Sequence, residues 1–184
     1  MPAPDVIPTL IETERLLIRA IDPRYAAALH EAVTETFEEL HRWMPWAQSL
    51  GTLEQQHARM TEAAAQYARG EDLGMLLFRR TDDVLLGASG LHRINWHVPR
   101  MEIGYWRRAG CGGQGYVTEA VRGIAEFAFA ELAAQRVEIW VSSRNLPSQR
   151  VAERAGFQRE AELRRDRRDP TGELANSIIY GRTP

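Results

Sequence analysis

A glycine-rich turn near the middle of the sequence most narrows the folds that this chain can adopt. The turn, Gly110-Cys-Gly-Gly-Gln-Gly115, follows a short apolar run at 100–106 and leads into a helical pattern at 115–134. In such a strand–turn–helix unit, several backbone N–H groups and the positive end of a helix dipole converge on one spot. The sequence therefore predicts a phosphate-binding loop, with a ligand-free glycine turn as the simpler alternative.

The chain before this loop shows two helical patterns followed by short apolar runs. A β-branched run at 15–21 predicts a strand, the pattern at 24–47 predicts a helix with a break near Thr34, and 53–69 predicts a second helix. Three short apolar runs with polar turns between them come next: 73–78, 84–91 and 100–106. Strands joined by short turns pair antiparallel, so these runs predict a three-stranded meander.

After the loop, one helix connects to another apolar strand. The pattern at 115–134 has one apolar face, and we expect Glu119, Arg122 and Glu126 to face solvent. With the strand at 136–141, this makes a βαβ crossover and two parallel strands. A short helix and a terminal hairpin complete the chain: 147–155, 157–163 and 174–180. The predicted fold class is α/β (α+β), with a mixed central sheet, an antiparallel N-terminal meander, a βαβ crossover and a C-terminal hairpin.

Length and composition fit one soluble domain. The 184 residues, 44% of them hydrophobic, can bury a single core, so we expect one domain over 1–184. No window approaches the roughly 18–20 apolar residues of a bilayer span, and the opening Met1-Pro-Ala-Pro-Asp5 lacks the positive region of a signal peptide. We therefore expect a cytoplasmic protein without a membrane partner. A net charge of -2 argues against nucleic acid as a partner.

The cysteine and the histidines carry no recognisable site. Cys111 is the single cysteine, which excludes an internal disulfide and fits a reducing compartment. It could form an acyl-enzyme only with a base beside it, and no histidine partner is recognisable. The five histidines lack metal-ligand spacing, and His92 and His97 flank a turn. We expect no metal.

A rival interpretation is that the glycines form a dinucleotide-binding loop. Gly110-Cys-Gly-Gly-Gln-Gly115 matches the dinucleotide fingerprint G-x-G-x-x-G, and Glu138 follows on a predicted strand. An NAD(P)-dependent oxidoreductase would show this pattern. Against it, the predicted meander is antiparallel, and only one short helix and a hairpin remain where a Rossmann domain continues with further βα units.

The segment Gly113-Gln-Gly-Tyr-Val-Thr-Glu-Ala120 resembles the pyrophosphate-binding loop of the GNAT N-acetyltransferases. Further segments are similar to the RimJ/RimL-like branch, which acetylates ribosomal-protein N-termini: 13–19, 40–47, 102–106, 145–148 and 151–157. The resemblance covers nearly the whole chain. At the head of the loop, Gly112 stands where members usually carry Gln or Arg, which predicts a weaker affinity for acetyl-CoA. Asp166 and Arg167 lie on the hairpin where ribosomal-protein acetyltransferases often carry a glutamate.

The resemblance implies acetyl-CoA as the donor and a primary amine as the acceptor, with direct transfer in a ternary complex. Backbone N–H groups around Ile103 and Gly104 would stabilise the thioester oxyanion, and Asn145 would bind the pantetheine arm. The pyrophosphate would contact the loop residues Gly113, Gln114, Gly115, Tyr116, Val117 and Thr118. Two alternatives stay open: Asn145 also suits a helix cap, and Gly104 suits either a bulge that splays its strand or simple packing.

The resemblance also implies catalytic and acceptor-binding residues. Ser148 would protonate the departing thiolate, with helix capping as its alternative role. Glu102 is the candidate general base, although a fully exposed carboxylate at that position would be inert. Trp43 and Trp46 would line the acceptor groove, unless they belong to the core.

A protein N-terminal α-amine is the leading acceptor. Its pKa of about 7.7–8.0 leaves roughly a tenth or more of the amine neutral at pH 7, whereas a lysine near about 10.4 is neutral in fewer than about one in a thousand molecules. Such an acceptor needs only weak help from a base. The alternative acceptor is a small-molecule amine (an antibiotic, a polyamine or an amino-acid derivative). The alternative to an enzyme is a non-catalytic acyl-CoA sensor. A homodimer stays open as the assembly.

Overall fold

A computed structural model describes residue 4 and residues 6–184. Most of the opening pentapeptide, in which we expect no signal peptide, lies outside the described residues. Within them the chain forms these strands: β1 Leu10–Glu12, β2 Leu16–Ala20, β3 Leu73–Arg79, β4 Leu85–Asn95, β5 Arg100–Arg107, β6 Arg136–Ser142, β7 Gln158–Arg168 and β8 Leu174–Arg182. The helices are α1 Ala26–Trp43, α2 Leu53–Ala68, α3 Tyr116–Leu132 and α4 Leu146–Arg154, with a 3₁₀ turn at Pro23–Tyr25.

The strands form one mixed sheet in the order β1-β2-β3-β4-β5-β6-β8-β7. Strand β5 pairs with β6 in parallel across the α3 crossover, and the other neighbours pair antiparallel. The predicted meander, crossover and terminal hairpin are confirmed. The antiparallel β3, β4 and β5 exclude the all-parallel sheet of a Rossmann domain, so the dinucleotide interpretation is wrong.

Both faces of the sheet are covered, because the side chains of its central strands alternate between two apolar clusters. In β3, Leu73, Met75 and Leu77 pack into the cluster that includes the buried face of α3. Leu76 and Phe78 point the other way and pack with residues of α1 and α2. The sequence of β3 is therefore almost continuously apolar, as expected for a strand buried on both sides.

Strands β5 and β6 pair over a short stretch and then separate. Their ladder runs from the pair Arg100 and Arg136 to the pair Glu102 and Glu138. Beyond it, β5 stays paired with β4 as far as Arg107, and β6 stays paired with β8. The sheet therefore opens between two adjacent strands, and the opening begins directly after Glu102.

Three local features differ from the predictions. Strand β1 has no counterpart in the predictions, because its residues are largely exposed and lack an apolar alternation. Helix α1 runs without a break through Thr34, whose hydroxyl donates to the carbonyl of His30 at 2.8 Å within the helix. The helix ends at Trp43, before the predicted end, because the residue before Pro45 is disfavoured in the helical conformation.

Candidate active site

The glycine loop between β5 and α3 leaves space for a ligand. Gly113 and Gly115 have φ angles of 77° and 78°, in the left-handed region that favours glycine. Gly115 caps α3, and its carbonyl accepts the first helical hydrogen bond, from Glu119 at 3.0 Å. The N–H groups of the first turn have no partner within a helix, and a Cβ at Gly113 would meet nothing within 4 Å. The loop can therefore bind an anion.

An N-terminal latch, made of Thr13 and Arg15 bound to Glu119, fixes the start of α3. Glu119 accepts the Thr13 hydroxyl at 2.6 Å, the Arg15 backbone N–H at 2.8 Å and the Arg15 Nε at 2.7 Å. The same guanidinium donates to the carbonyl of Gln114 at 3.0 Å and lies over the ring of Tyr116. The latch therefore connects β2 and the residues before it to both the loop and the helix.

Glu119 therefore does not face solvent as predicted, because its side chain is only 16% exposed. Burial alone would raise the pKa of Glu119, but the hydrogen bonds from Thr13 and Arg15 outweigh burial and lower the pKa. The helical pattern could not reveal this, since the partners lie about a hundred positions earlier in the chain. Arg122 and Glu126 are exposed as expected.

At the head of the loop, the guanidinium of Arg107 lies beside Gly112. A Cβ on residue 112 would stand 3.1 Å from Cζ of Arg107. Arg107 also pairs with Glu39 of α1 at 3.3 Å. The missing side chain at position 112 therefore leaves room for a cation that comes from the end of β5.

Two clefts adjoin where β5 and β6 separate. The loop-side cleft, of about 120 Å³, lies between α1, the end of β5 and the first turns of α3 and α4. The sheet-side cleft, of about 400 Å³, lies between β5, β6 and β7. Residues from three elements line both clefts: Trp43, Met44, Tyr105, Asn145 and Ser148.

Several of the site residues predicted from the sequence line the two clefts. Val117 lines the loop-side cleft, and Glu102, Ile103 and Gly104 line the sheet-side cleft. Trp46 lines neither: its side chain is 51% exposed, and its ring centroid lies 6.5 Å from that of Trp106. The remaining loop residues, Gly113, Gln114, Gly115, Tyr116 and Thr118, lie outside the two clefts, at the turn that opens α3.

A pair of hydroxyl groups marks the junction of the two clefts. The Tyr105 Oη lies 2.9 Å from the Ser148 Oγ and 2.9 Å from the Ser148 carbonyl oxygen. Burial raises the pKa of Tyr105 to about 12, so its hydroxyl is protonated near neutral pH. Sequence reasoning assigned no role to Tyr105, although it lies within the segment 102–106 that resembles the family.

Asn145 caps α4, as its alternative role predicted. Its Oδ1 accepts the backbone N–H of Ser148 at 3.1 Å. Since the capping bond occupies the amide oxygen, the Nδ2 group is left to donate toward a ligand in the clefts that Asn145 lines. Capping and ligand binding are therefore compatible. Ser148 contributes its main chain to the cap and keeps its hydroxyl for the pair with Tyr105.

Glu102 is largely buried at the point where the sheet opens. Its side chain is 19% exposed and accepts a hydrogen bond from Arg93 at 3.0 Å. Burial raises the pKa of Glu102; Arg93 and His92 oppose this rise, and the neighbouring Glu138 adds to it. Full exposure would have made Glu102 inert as a base, but its side chain is largely buried.

Gly104 does not form the bulge that was one of its two predicted roles. It pairs in regular register with Gly90 of β4, and its carbonyl accepts the Ser89 hydroxyl at 2.7 Å. A Cβ there would stand 3.1 Å from the ring of His92, so packing accounts for the glycine. The sheet nevertheless opens here, because the β5–β6 ladder ends at Glu102 while β5 stays paired with β4 and β6 with β8.

The described residues contain neither a candidate metal cluster nor a candidate membrane-spanning helix. In residue 4 and residues 6–184, no group of three or more His, Cys, Asp or Glu side chains could hold a metal ion. Over the same residues, no helix is long and apolar enough to cross a membrane.

Known proteins resemble this chain in sequence and in fold. The model of the acetyltransferase (GNAT) domain matches residues 15–158. The probable N-acetyltransferase YjcK of Bacillus subtilis (strain 168) is 37% identical over 116 residues, which are 62% of this chain and 64% of YjcK, so the chain spans less than two thirds of that relative. The protein YdaF of the same organism is 30% identical over 154 residues, 82% of each chain.

Solved structures share the fold. RimL, a ribosomal L7/L12 α-N-protein acetyltransferase in complex with coenzyme A, superposes with a TM-score of 0.88 at 22% identity, over 95% of this chain and 97% of that chain. At this identity the likeness establishes the architecture alone. The family model covers most of the chain, and YdaF adds a relative at sufficient identity and length. This protein therefore belongs to the GNAT acetyltransferase family and is an acetyltransferase.

Proposed function

We propose that this enzyme transfers an acetyl group from acetyl-CoA to a primary amine in a ternary complex. The observation that carries the proposal is that two clefts adjoin at the Tyr105–Ser148 pair, with the glycine loop beside one of them. Direct transfer needs a donor and an acceptor that reach one point by separate paths. The two clefts supply these paths.

The donor would occupy the loop-side cleft. Backbone N–H groups from Gly113 to Thr118 would bind the pyrophosphate at the positive end of α3, with Arg107 as an additional cation. The pantetheine arm would then pass Val117 and reach the Nδ2 group of Asn145, which line this cleft. The coenzyme A bound to RimL, a protein of the same fold, supports this donor.

The reaction would take place where the sheet opens. The amine nitrogen attacks the thioester carbon, a C–N bond forms, and the C–S bond breaks. Backbone N–H groups at Ile103 and Gly104, beyond the β5–β6 ladder, would stabilise the oxyanion. Glu102 would take the proton from the amine, directly or through water, and Ser148 would donate a proton to the thiolate, with Tyr105 as its hydrogen-bonded partner.

The leading acceptor is a protein N-terminal α-amine. Such an amine is already partly neutral near pH 7, so a single carboxylate is sufficient as the base. RimL, which has the same fold, is named for acetylating the N-terminus of L7/L12. Trp43 and Pro45 line the sheet-side cleft and would contact the acceptor chain.

Release of coenzyme A thiol from acetyl-CoA, measured across a panel of peptides and small amines, tests the proposal. We expect release that depends on an acceptor. We also expect Ser148→Ala to lower kcat about 10²-fold, with a much smaller change in the KM for acetyl-CoA. The cap of α4 should survive this change, because Asn145 binds the main chain of residue 148.

Ser143→Ala is the matched control, because this serine precedes α4 but lines neither cleft. Equal losses in kcat and in acetyl-CoA binding would reduce Ser148 to a binding residue. A chain that binds acetyl-CoA but releases no thiol with any acceptor would contradict the proposed reaction.

A further inference from the structure

Strand β7 bulges beside the sheet-side cleft. Leu163 pairs with Ser177 and Arg167 pairs with Ala175, so three residues of β7 oppose the single residue Asn176 of β8. Bulges of this kind change the direction of the side chains that follow them. The bulge therefore determines how Arg167 is presented to the cleft.

Hydrogen bonds hold the bulge in one conformation. Arg165 has a φ of 51°, an unfavourable value for a residue other than glycine. Its N–H donates to Oδ1 of Asn176 at 3.0 Å, and the N–H of Ser177 donates to Oδ1 of Asp166 at 2.9 Å. The Nδ2 of Asn176 donates to Glu162 at 3.0 Å. Backbone strain that surrounding contacts enforce in this way is typical of functional sites.

Arg167 lines the sheet-side cleft and has no partner there. Its Nε is buried without a hydrogen-bond acceptor. Throughout residue 4 and residues 6–184, no carboxylate pairs with its guanidinium, and no side-chain hydrogen bond involves it. A buried N–H donor without an acceptor is costly, so a substrate atom that accepts a hydrogen bond from Nε would stabilise Arg167 in the cleft.

The other charged side chains that line the cleft already have partners. Glu102 accepts a hydrogen bond from Arg93 at 3.0 Å. Asp166, adjacent to Arg167 in sequence, directs one carboxylate oxygen at the backbone N–H of Ser177. Among the described residues around this cleft, Arg167 therefore contributes a positive charge that no neighbour satisfies.

We propose that Arg167 binds a carboxylate of the acceptor, so that the substrate is an amine that also carries a carboxylate. This inference rests on the acetyl transfer proposed above and specifies its acceptor. A guanidinium matches a carboxylate with two parallel hydrogen bonds, and a partly buried site strengthens them. The carboxylate can come from two sources: the α-carboxylate of a free amino acid, or an acidic side chain near the N-terminus of a peptide.

Two matched pairs of acceptors test the inference and separate these sources. One pair is an α-amino acid and its amide, and the other is a pair of short peptides with Asp or Asn at the second position. We expect the wild-type kcat/KM to favour the carboxylate member of at least one pair by about tenfold or more, mainly through KM. The pair with the larger preference identifies the source.

Arg167→Gln should reduce this preference to near one, and Arg167→Lys, which keeps the charge but not the planar fork, should leave part of it. Arg164→Ala is the matched control, because Arg164 is an exposed residue of the same bulge. It should retain the full preference. The unfolding temperature of each variant would show whether the bulge still folds.

Thiol release that is equal for both members of each pair, or a preference that survives in Arg167→Gln, would overturn the inference while leaving acetyl transfer intact. If no acceptor releases thiol, the proposed function fails instead. Calorimetric titration of the same pairs into the chain with coenzyme A bound then decides the inference: equal affinities overturn it, and tighter carboxylate binding that Arg167→Gln abolishes supports it.

Discussion

Glu102 connects the burial of one carboxylate to the pH dependence expected of the enzyme. A general base acts only in its ionised form, and burial raises the pKa of Glu102. As the pH falls, Glu102 therefore becomes protonated earlier than an ordinary glutamate does. We expect kcat/KM to be highest above this raised pKa, and to fall as the pH drops through it.

Profiles of kcat/KM against pH, for wild type and Glu102→Gln, test this expectation. At the pH values where the wild-type kcat/KM is constant, the kcat/KM of the variant should be about 10²-fold lower. The fall in kcat/KM at acidic pH that comes from protonation of Glu102 should be absent from the variant. Glu160→Gln is a suitable control, because Glu160 pairs with Arg136 and lines neither cleft. An identical acidic limb in wild type and Glu102→Gln would remove Glu102 as the base.

Some site residues could be recognised from the sequence, and others could not. Asn145 and Ser148 were recognisable from their segment, and the structure adds the capping bond between them and the contact of the Ser148 hydroxyl with Tyr105. Tyr105 was not recognised, since its significance depends on a contact with a residue 43 positions away. The partners of Glu119 lie in a distant segment, and the lack of a partner for Arg167 among the described residues likewise appears only in the folded chain. Such relations leave no periodic signal in a sequence.

At the scale of elements, the N-terminal latch should control how tightly the loop binds acetyl-CoA. Arg15 is 43% exposed and Glu119 is 16% exposed, so their ion pair contributes about 1 kcal/mol, far less than a fully buried pair. We expect Arg15→Ala to weaken acetyl-CoA binding about fivefold with little change in kcat, because the Tyr105–Ser148 hydroxyl pair, where we propose that transfer occurs, lies elsewhere.

Calorimetry with coenzyme A measures this effect. Arg69→Ala is the matched control: it removes an exposed arginine that pairs with Glu71 at the end of α2, away from the loop. Unchanged affinity in Arg15→Ala would mean that the loop holds its conformation without the latch. Glu119→Gln should reproduce the loss in part, because it keeps an oxygen acceptor for Thr13.

Regular elements were predictable, and irregular ones were not. The meander, the crossover helix and the terminal hairpin follow from local periodicity and turn residues, and their order was predicted correctly. Strand β1 was not predicted because an edge strand buries few side chains. The expected break in α1 is absent because the exposed Thr34 hydroxyl donates to the His30 carbonyl within the helix. The bulge in β7 depends on Asn176 and Asp166 in their folded positions.

For the whole molecule, bound acetyl-CoA should raise the unfolding temperature. At a ligand concentration of about 100 times Kd, the expected stabilisation is about 2.7 kcal/mol, or about 5–10 °C for a chain of this size. Gly115→Glu should abolish the increase, because it places a negative charge where the pyrophosphate would bind. Unfolding temperatures measured with acetyl-CoA, coenzyme A and NADH test both expectations.

The control for this variant is Gly172→Glu. Gly172 also has a positive φ, of 88°, with open space around it, but lies in the distant β7–β8 turn. Both variants should lose intrinsic stability through backbone strain, and only Gly115→Glu should lose the increase on ligand addition. Stabilisation by NADH alone, or an unchanged increase in Gly115→Glu, would contradict the proposed donor site.

The residues proposed to bind the donor and those proposed to bind the acceptor lie in different parts of the chain. The groups expected to hold the donor belong to the loop, α3 and the start of α4, whereas the bulge and Arg167 belong to the last hairpin of the chain. In the described part of the chain, the two sets approach each other where the clefts adjoin. On the proposal for Arg167, we expect substitutions in β7 to change which amine is accepted while acetyl-CoA binding stays unchanged. The terminal hairpin is therefore the segment that we would redesign to change the acceptor while keeping the donor site.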